Sequence, residues 1–486
     1  MRAPAPEEPT ADLLRAAGAT TRTAAPTRTG RHTGFTTRHV ISVPISIAGP
    51  EPSHPRDFAG ARRARRRGNG THVRRLFPRR QVSCDGRAVI TLADLEAARG
   101  RIADHVLLSP CPRSEAIGKQ VGCTLFLKLE NLQRTGSFRE RGACNKLAML
   151  VDDYASRGET LAGVVCASAG NHAQGIAFHA TARGIDATIV MPETTPLLKV
   201  QNTRAFGGRV VLHGANYDEA YEEARRIEAA EGRVFVHAFD DDAIIAGQGT
   251  IGLELLEQVA NLDAVVLAIG EPEDRDLRRP DRCAPEHEGG PRGGHPVTLP
   301  AAKTLAEGIA VRTVGARTFE ILSTHLDGFA VVDDEEIAEA ILVLLEREKT
   351  LAEGAGAAPL AALLQGRLPV AGKRVAVVIC GGNLDVNVLS RIIERGLVKS
   401  GRRVRLAVQL PDVSGALARL TRIVGEQKAN ILEIHHNRAY GHADLGEARV
   451  ELVLETRGYK HADEVEACLV AAGYLVRPDA SAPPVE

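Results

Sequence analysis

Six short apolar runs, TLFLKLE, GVVCASA, ATIVMP, RVVLHG, RVFVHAF and DAVVLAIG, recur between residues 124 and 270, with amphipathic helical stretches among them. Strands that alternate with helices in this way pair in parallel through crossover connections. An α/β fold is therefore expected, a mostly parallel sheet wrapped by helices that receives ligands at the carboxyl ends of its strands. Several of the runs lead straight into Gly- or Asn-containing turns. The folded region should begin near Ile90, where TLADLEAARGRIADHV shows apolar positions at helical spacing behind a Thr able to cap. After Pro296 the pattern resumes in PVTLPAAKTLAEGIAV, and KRVAVVICGGNLDVNVLSRIIERGLV adds another strand, glycine turn and helix.

Two stretches break the pattern. Residues 1 to 85 are rich in Thr, Arg, Pro and Ala, with one apolar stretch of note, Val40 to Ile47, and are expected to be a disordered extension. Their run of arginines (Arg62, Arg63, Arg65, Arg66, Arg67, then Arg74, Arg75, Arg79, Arg80) also admits a nucleic-acid arm or a transit peptide, and a wrong start or frame is a further reading. Residues 271–294, EPEDRDLRRPDRCAPEHEGGPRGG, hold one branched aliphatic side chain, Leu277, and cannot supply a buried helix or strand. Disruption of the reading frame is one account of this aberrant segment. The region 403–477 reads strand, helix, strand, strand, helix, strand, which is a ferredoxin-like βαββαβ unit. Residues 478–486 form a tail.

With 486 residues and 44% apolar content, the chain has room for two or three cores. Its 61 basic and 61 acidic side chains cancel, so no overall charge draws it to nucleic acid or an acidic membrane. No apolar run reaches the roughly 18 residues of a membrane span. Eight scattered cysteines without a CxxC pair suit a reducing, cytoplasmic setting and indicate no metal site.

Four segments carry chemistry: KLENLQRTGSFRERGA (128–143), CASAGNHAQGIA (166–177), MPETTP (191–196) and ICGGNLDVN (379–387). Together and in this order they resemble fold-type II pyridoxal-phosphate enzymes, with threonine ammonia-lyase (threonine dehydratase) the nearest match. The resemblance covers about 92–270 and 296–476. It implies a tryptophan-synthase-β-like catalytic region of two subdomains over 86–400 and, from LPDVSGALARL and KANILEI, a C-terminal ACT domain that senses an amino acid. The implied reaction converts L-threonine to 2-oxobutanoate and ammonia, in isoleucine biosynthesis or threonine catabolism. Serine remains open as a substrate.

Carried over residue by residue, the resemblance puts Phe138 beside the coenzyme ring, Asn171 on the ring hydroxyl, Cys380 at the pyridine nitrogen and Glu353 near the coenzyme. Ser168, Gly170, Asn171 and His172 form the loop that grips the substrate carboxylate; Ser168 and Asn171 count also as catalytic. The family's Schiff-base lysine falls at Arg139, and its tetraglycine phosphate loop is reduced to Gly270 before Glu271 and Glu273. A guanidinium with a pKa above about 12 offers no free amine for an imine. Lys128 and Lys146, the lysines nearest the motif, match positions where the family also carries Lys. Two functional readings follow: the lyase itself, or a catalytically impaired relative that binds an amino acid or a partner. Asp412, Gly415, Ala416, Asn430 and Ile431 are the expected effector contacts of the ACT domain, the alternative being a dimerisation module without a ligand. Glu307 lies near a cation position of related enzymes, yet no metal is expected. The implied assembly is a homo-oligomer, dimer or tetramer.

Overall fold

The expected apolar runs become strands in the computed structural model, which describes residues 38–43, 90–270, 304–311, 313–437 and 446–478. In chain order the strands are β1 (Arg38–Val43), β2 (Arg113–Ser114), β3 (Thr124–Leu129), β4 (Val164–Ala167), β5 (Ala187–Met191), β6 (Arg209–Leu212), β7 (Val234–Phe235), β8 (Ala264–Ala268), β9 (Gly328–Asp333), β10 (Arg374–Ile379), β11 (Arg403–Pro411), β12 (Asn430–Asn437), β13 (Glu447–Glu455) and β14 (Leu475–Pro478).

They build two sheets in the catalytic region. A wholly parallel sheet has the order β6-β5-β4-β7. A mixed sheet has the order β2-β3-β10-β8-β1-β9, in which β3, β10 and β8 run parallel. Every residue of β4 and β5 is buried, as parallel strands covered on both faces require, so these runs show no alternation. The two sheets are the two subdomains implied by the resemblance, and the α/β class holds. No helix among the described residues is long and apolar enough to cross a membrane.

One short stretch departs from expectation. Within the supposedly disordered 1–85, the backbone of Arg38–Val43 pairs antiparallel with both β8 and β9, in register from Arg38 opposite Asp333 to Val43 opposite Gly328. Three of its six residues are β-branched (Val40, Ile41, Val43), and two strand edges stand ready to take its backbone groups. The rest of 1–85, the aberrant segment 271–294 and the tail beyond Pro478 lie outside the described residues.

The helix Leu92–Ile102 starts as read, with Thr91 and Asp94 in a reciprocal capping box. More important for the site is the helix Arg139–Arg157, which crosses the helix Asp242–Gln258 at backbone contact. A Cβ on Gly247 would come within 2.7 Å of the Gly142 Cα, so only glycine permits the crossing. A buried network locks the same junction. Arg141, fully buried, donates from Nε and Nη2 to Glu130 at 2.8 Å and from Nη1 and Nη2 to Glu254 at 2.6 and 2.8 Å. Lys128, also fully buried, donates to Glu254 at 2.5 Å, and to Gln258 and the Ser109 carbonyl at 2.9 Å. Two cations and two carboxylates balance.

The C-terminal unit is the expected βαββαβ, an antiparallel sheet of order β12-β13-β11-β14 with helices Ala416–Glu426 and Tyr459–Ala471. Leu406, Val408, Leu420, Val450 and Val465 belong to its own core.

Truncating Arg141 to Ala strands Glu130 and Glu254 in the interior, and the expected loss is about 3–5 kcal/mol. Urea denaturation of both proteins measures it. A loss below about 1 kcal/mol would show that the network does not hold this junction.

Candidate active site

The two segments that meet at the cavity are clasped by backbone. Phe138 N–H donates to the Cys380 carbonyl at 2.9 Å, Gly382 N–H to the Gly136 carbonyl at 2.9 Å, and Ser137 bridges Gly381. Gly136 has φ +75°, and a Cβ there would sit 2.5 Å from the Asn383 Oδ1, so this turn has both a backbone and a packing reason for glycine. The clasp brings TGSF and ICGGN, some 240 residues apart in sequence, to one wall.

A second wall follows β4. Ser168 N–H continues the ladder to Val190 at 3.1 Å, and the Ser168 hydroxyl accepts from Gly170 N–H at 3.3 Å. Gly170 then opens the twelve-residue helix Asn171–Ala182, whose first N–H groups have no side-chain cap. The expected site residues Phe138, Arg139, Ser168, Gly170, Asn171, His172, Gly270, Glu353 and Cys380 all line one cavity.

Asn171 is held at both ends. Its Nδ2 donates to Glu353 at 2.7 Å, and its Oδ1 accepts from Asn383 Nδ2 at 2.7 Å, which also donates to the Thr135 carbonyl at 2.9 Å. Burial pushes the Glu353 carboxyl above its ordinary value, against the Asn171 hydrogen bond and the Arg139 charge. Burial likewise raises the Cys380 thiol, with Glu353 adding to the effect, so this sulfur is a neutral wall group. Tyr217 in the same wall is pushed up to about 12 by burial. Gly270 packs tightly: a Cβ there would be 2.7 Å from Val311 Cγ2 and 2.9 Å from the Ile309 carbonyl.

Arg139 opens the helix Arg139–Arg157 with its guanidinium in the cavity wall. It donates to the Ala238 carbonyl at 3.3 Å and the Gly308 carbonyl at 3.4 Å, and its Cζ lies 5.1 Å from the centre of the Phe138 ring. Burial draws its pKa down, while Cys380, Glu353 and Tyr217 oppose this.

His172 is almost fully buried. Its Nε2 lies 3.2 Å from the Val236 carbonyl and must donate there, which leaves Nδ1 an acceptor without a partner among the described residues. Burial, then the Arg139 charge, lowers its pKa to about 3.

Sequence reasoning missed two residues. Asn383 was inside the quoted ICGGN motif, and its side chain rather than the glycines orients Asn171. Lys199, in LLKV just after MPETTP, lines the cavity and pairs with Glu307. Lys128 and Lys146 do not line it, being tied to Glu254 and, at 2.6 Å, to Asp241.

The five expected effector residues are not brought together within one chain. Pro411 faces Glu447, so Asp412, Gly415 and Ala416 lie at one end of the C-terminal sheet. Asn430 faces Glu455 and Ile431 follows it at the other end, about 26 Å away at ~3.3 Å per residue of β13. The helix Ala416–Glu426 carries the chain back along the sheet before β12 starts, which is why neighbours in the motif pattern become opposite ends in space.

Comparison with known proteins places these residues in a lineage. Residues 102–271 and 279–381 match the family model described as "Pyridoxal-phosphate dependent enzyme". An L-threonine ammonia-lyase of Thermotoga maritima is 45% identical over 404 residues, covering 80% of this chain and 99% of that protein. One of Geobacter sulfurreducens is 42% identical over 397 residues, covering 79% and 98%. Among solved structures, the processed form of threonine deaminase isoform 2 from Solanum lycopersicum superposes with a TM-score of 0.54 at 30% identity, covering 62% of this chain and 91% of that one.

The depressed His172 pKa fixes a sign for stability. Between the ordinary value of 6.5 and about 3, the unfolded chain binds a proton that the folded chain refuses, so stability falls as pH drops through that window. A loss of a few kcal/mol is expected from this group. Unfolding free energies measured from pH 7 to pH 4 should decline less in His172→Gln; equal declines would remove His172 from the account.

Proposed function

The chain belongs to the pyridoxal-phosphate-dependent enzyme family, and from that premise we propose that its cavity serves the reaction for which its bacterial relatives are named, removal of ammonia from L-threonine. The products would be 2-oxobutanoate and ammonia, with no other reactant consumed. The observation that carries this reading is the single cavity that gathers all four motif segments, in a chain spanning nearly the whole length of those relatives.

Within that reading the residues divide the work. The Ser168–Asn171 loop, at the positive end of a helix, receives the substrate carboxylate on its hydroxyl and free N–H groups. Asn383 and Glu353 hold Asn171 in one orientation, so the amide presents a fixed edge. Phe138 forms a flat apolar wall, and the buried Cys380 thiol a neutral one.

Pyridoxal phosphate, when bound in a protein of this family, supplies the electron sink that stabilises charge at the amino acid's α-carbon. The residues present fit it unequally. Phe138, Asn171 and Cys380 suit the ring. Position 139, where the family anchors the coenzyme aldehyde, holds a guanidinium rather than an amine, so the imine anchor does not fit.

The relatives lend no support to the other reading, a site that binds amino acids with impaired turnover, and Arg139 alone keeps it as a second reading to test. We further propose catalytic and regulatory regions over 86–400 and 403–477, a small effector at the latter, assembly as a homo-oligomer and a cytoplasmic setting.

Formation of 2-oxobutanoate from L-threonine with added pyridoxal phosphate, compared between the native chain and Arg139→Lys, tests both. A restored amine is expected to raise the rate by about 100-fold or more, the scale of a positioned proton-transfer group. Equal turnover by the native chain would remove the second reading. Silence of both proteins, while each remains folded, would remove the lyase reading.

A further inference from the structure

The helix that begins at Arg139 presents two guanidinium groups two residues apart, and they are treated in opposite ways. Arg141 is fully buried and meets two carboxylates with four hydrogen bonds of 2.6 to 2.8 Å. Arg139 makes two bonds of 3.3 and 3.4 Å to backbone carbonyls, beyond the usual 2.9 to 3.0 Å, and among the described residues no carboxylate lies within ion-pair distance of it. Glu353, the carboxylate acting on it through space, is already bonded to Asn171. Lys199, the lysine of the wall, is neutralised by Glu307. His172 and His237 both have their pKa values lowered by burial and carry no charge at neutral pH. Of the other arginines lining the cavity, Arg395 pairs with Glu335 and Arg391 is exposed, bonded to the Asn387 carbonyl. Among the described residues Arg139 is thus the one sheltered cation of the wall without a carboxylate contact, resting on an aromatic face, with the N-terminus of the helix Asn171–Ala182 in the same cavity.

We propose that Arg139 is the receptor of a non-covalent anion site, and that its ligand class is the small 2-oxo carboxylate. The guanidinium fork matches a planar carboxylate with two parallel N–H···O bonds, which would replace the two long bonds to carbonyls. A 2-oxo acid carries one negative charge and no ammonium, so nothing on it repels Arg139. An amino acid would bring a second cation to the same wall. The inference rests on reading the cavity as a site for amino-acid chemistry and makes the reaction's product type its preferred ligand.

Calorimetric titration of the full chain with 2-oxobutanoate should show binding, and Arg139→Gln should weaken it by about tenfold or more, the scale of a charge-assisted bond. Arg139→Lys keeps the charge without the fork and should weaken binding several-fold, which secures the test if the Gln variant does not fold. Borohydride added to the complex should leave the protein mass unchanged. Absence of binding at millimolar ligand, native affinity in either variant, or a reduced adduct on a lysine such as Lys199 would each overturn the proposal. Failure of the lyase reading is told apart by its own readout, 2-oxobutanoate formation, which this titration does not use.

Discussion

A guanidinium removed from water carries a large desolvation cost that paired carboxylates offset, and the pairing of Arg141 with Glu130 and Glu254 is the constraint from which the site's geometry follows. Glu130 closes the end of β3, Glu254 lies on the helix Asp242–Gln258, and Arg141 is the third residue of the helix Arg139–Arg157. Satisfying all three fixes where that helix starts and how it is rotated. Glu140 adds a second tether by accepting the Thr135 N–H at 2.8 Å, which closes the loop ahead of the helix. With both ends of the loop held, Phe138 and Arg139 have no freedom to leave the cavity wall. The Gly142 and Gly247 contact then lets the two helices approach closely enough for the ion pairs to form.

Against that background the state of Arg139 is informative. The fold supplies complete compensation for one guanidinium and leaves another, a short distance along the same helix, on two long bonds and a ring face. Local rules tend to be broken where a protein meets its ligand, and stability lost there is offset elsewhere. The buried Nδ1 of His172, without a partner close to the same wall, belongs to the same pattern. Among the described residues neither group has a side-chain hydrogen-bond partner.

Much of this was legible in the sequence. Runs such as GVVCASA and ATIVMP forced a parallel, doubly covered sheet because no alternation was present, and the 403–477 pattern could be read as βαββαβ because each element had its own period. The motif residues Phe138, Ser168, Asn171, Glu353 and Cys380 do meet in one cavity. What could not be read was pairing across long separations. Val40 to Ile47 was visible as an apolar stretch, but nothing in it names β8 and β9 as neighbours. Asn383 looked like part of a glycine turn, and its bond to Asn171 exists only after two subdomains have closed. The effector set was grouped by motif, whereas strand direction separates Gly415 from Asn430. Lys199 lies far from Arg139 along the chain and shares a wall with it only in the folded cavity, which no sequence pattern shows.

The route between the two regions is set by covalent geometry. The helix Val386–Lys399 begins at Asp385, immediately after the ICGGN wall, and ends three residues before β11. Arg402 pairs with Glu346 at 2.6 Å, and Tyr459 Oη donates to the Lys399 carbonyl at 2.7 Å, so the junction is bonded from both sides. β11 enters the C-terminal sheet at Arg403, and the Gly415 turn lies beyond its far end, about 26 Å along the strand. A ligand at that turn therefore cannot touch the junction in its own chain. Contiguity supplies a mechanical path from cavity to sheet, but coupling needs two arrangements of that path with different affinities for each ligand. The Asn430 end, opposite Glu455 and next to Arg403, is the part of the sheet closest to the helix that starts at the active-site wall. Any influence of the C-terminal unit on Asn171 and its partners has to begin there or be carried the length of β11.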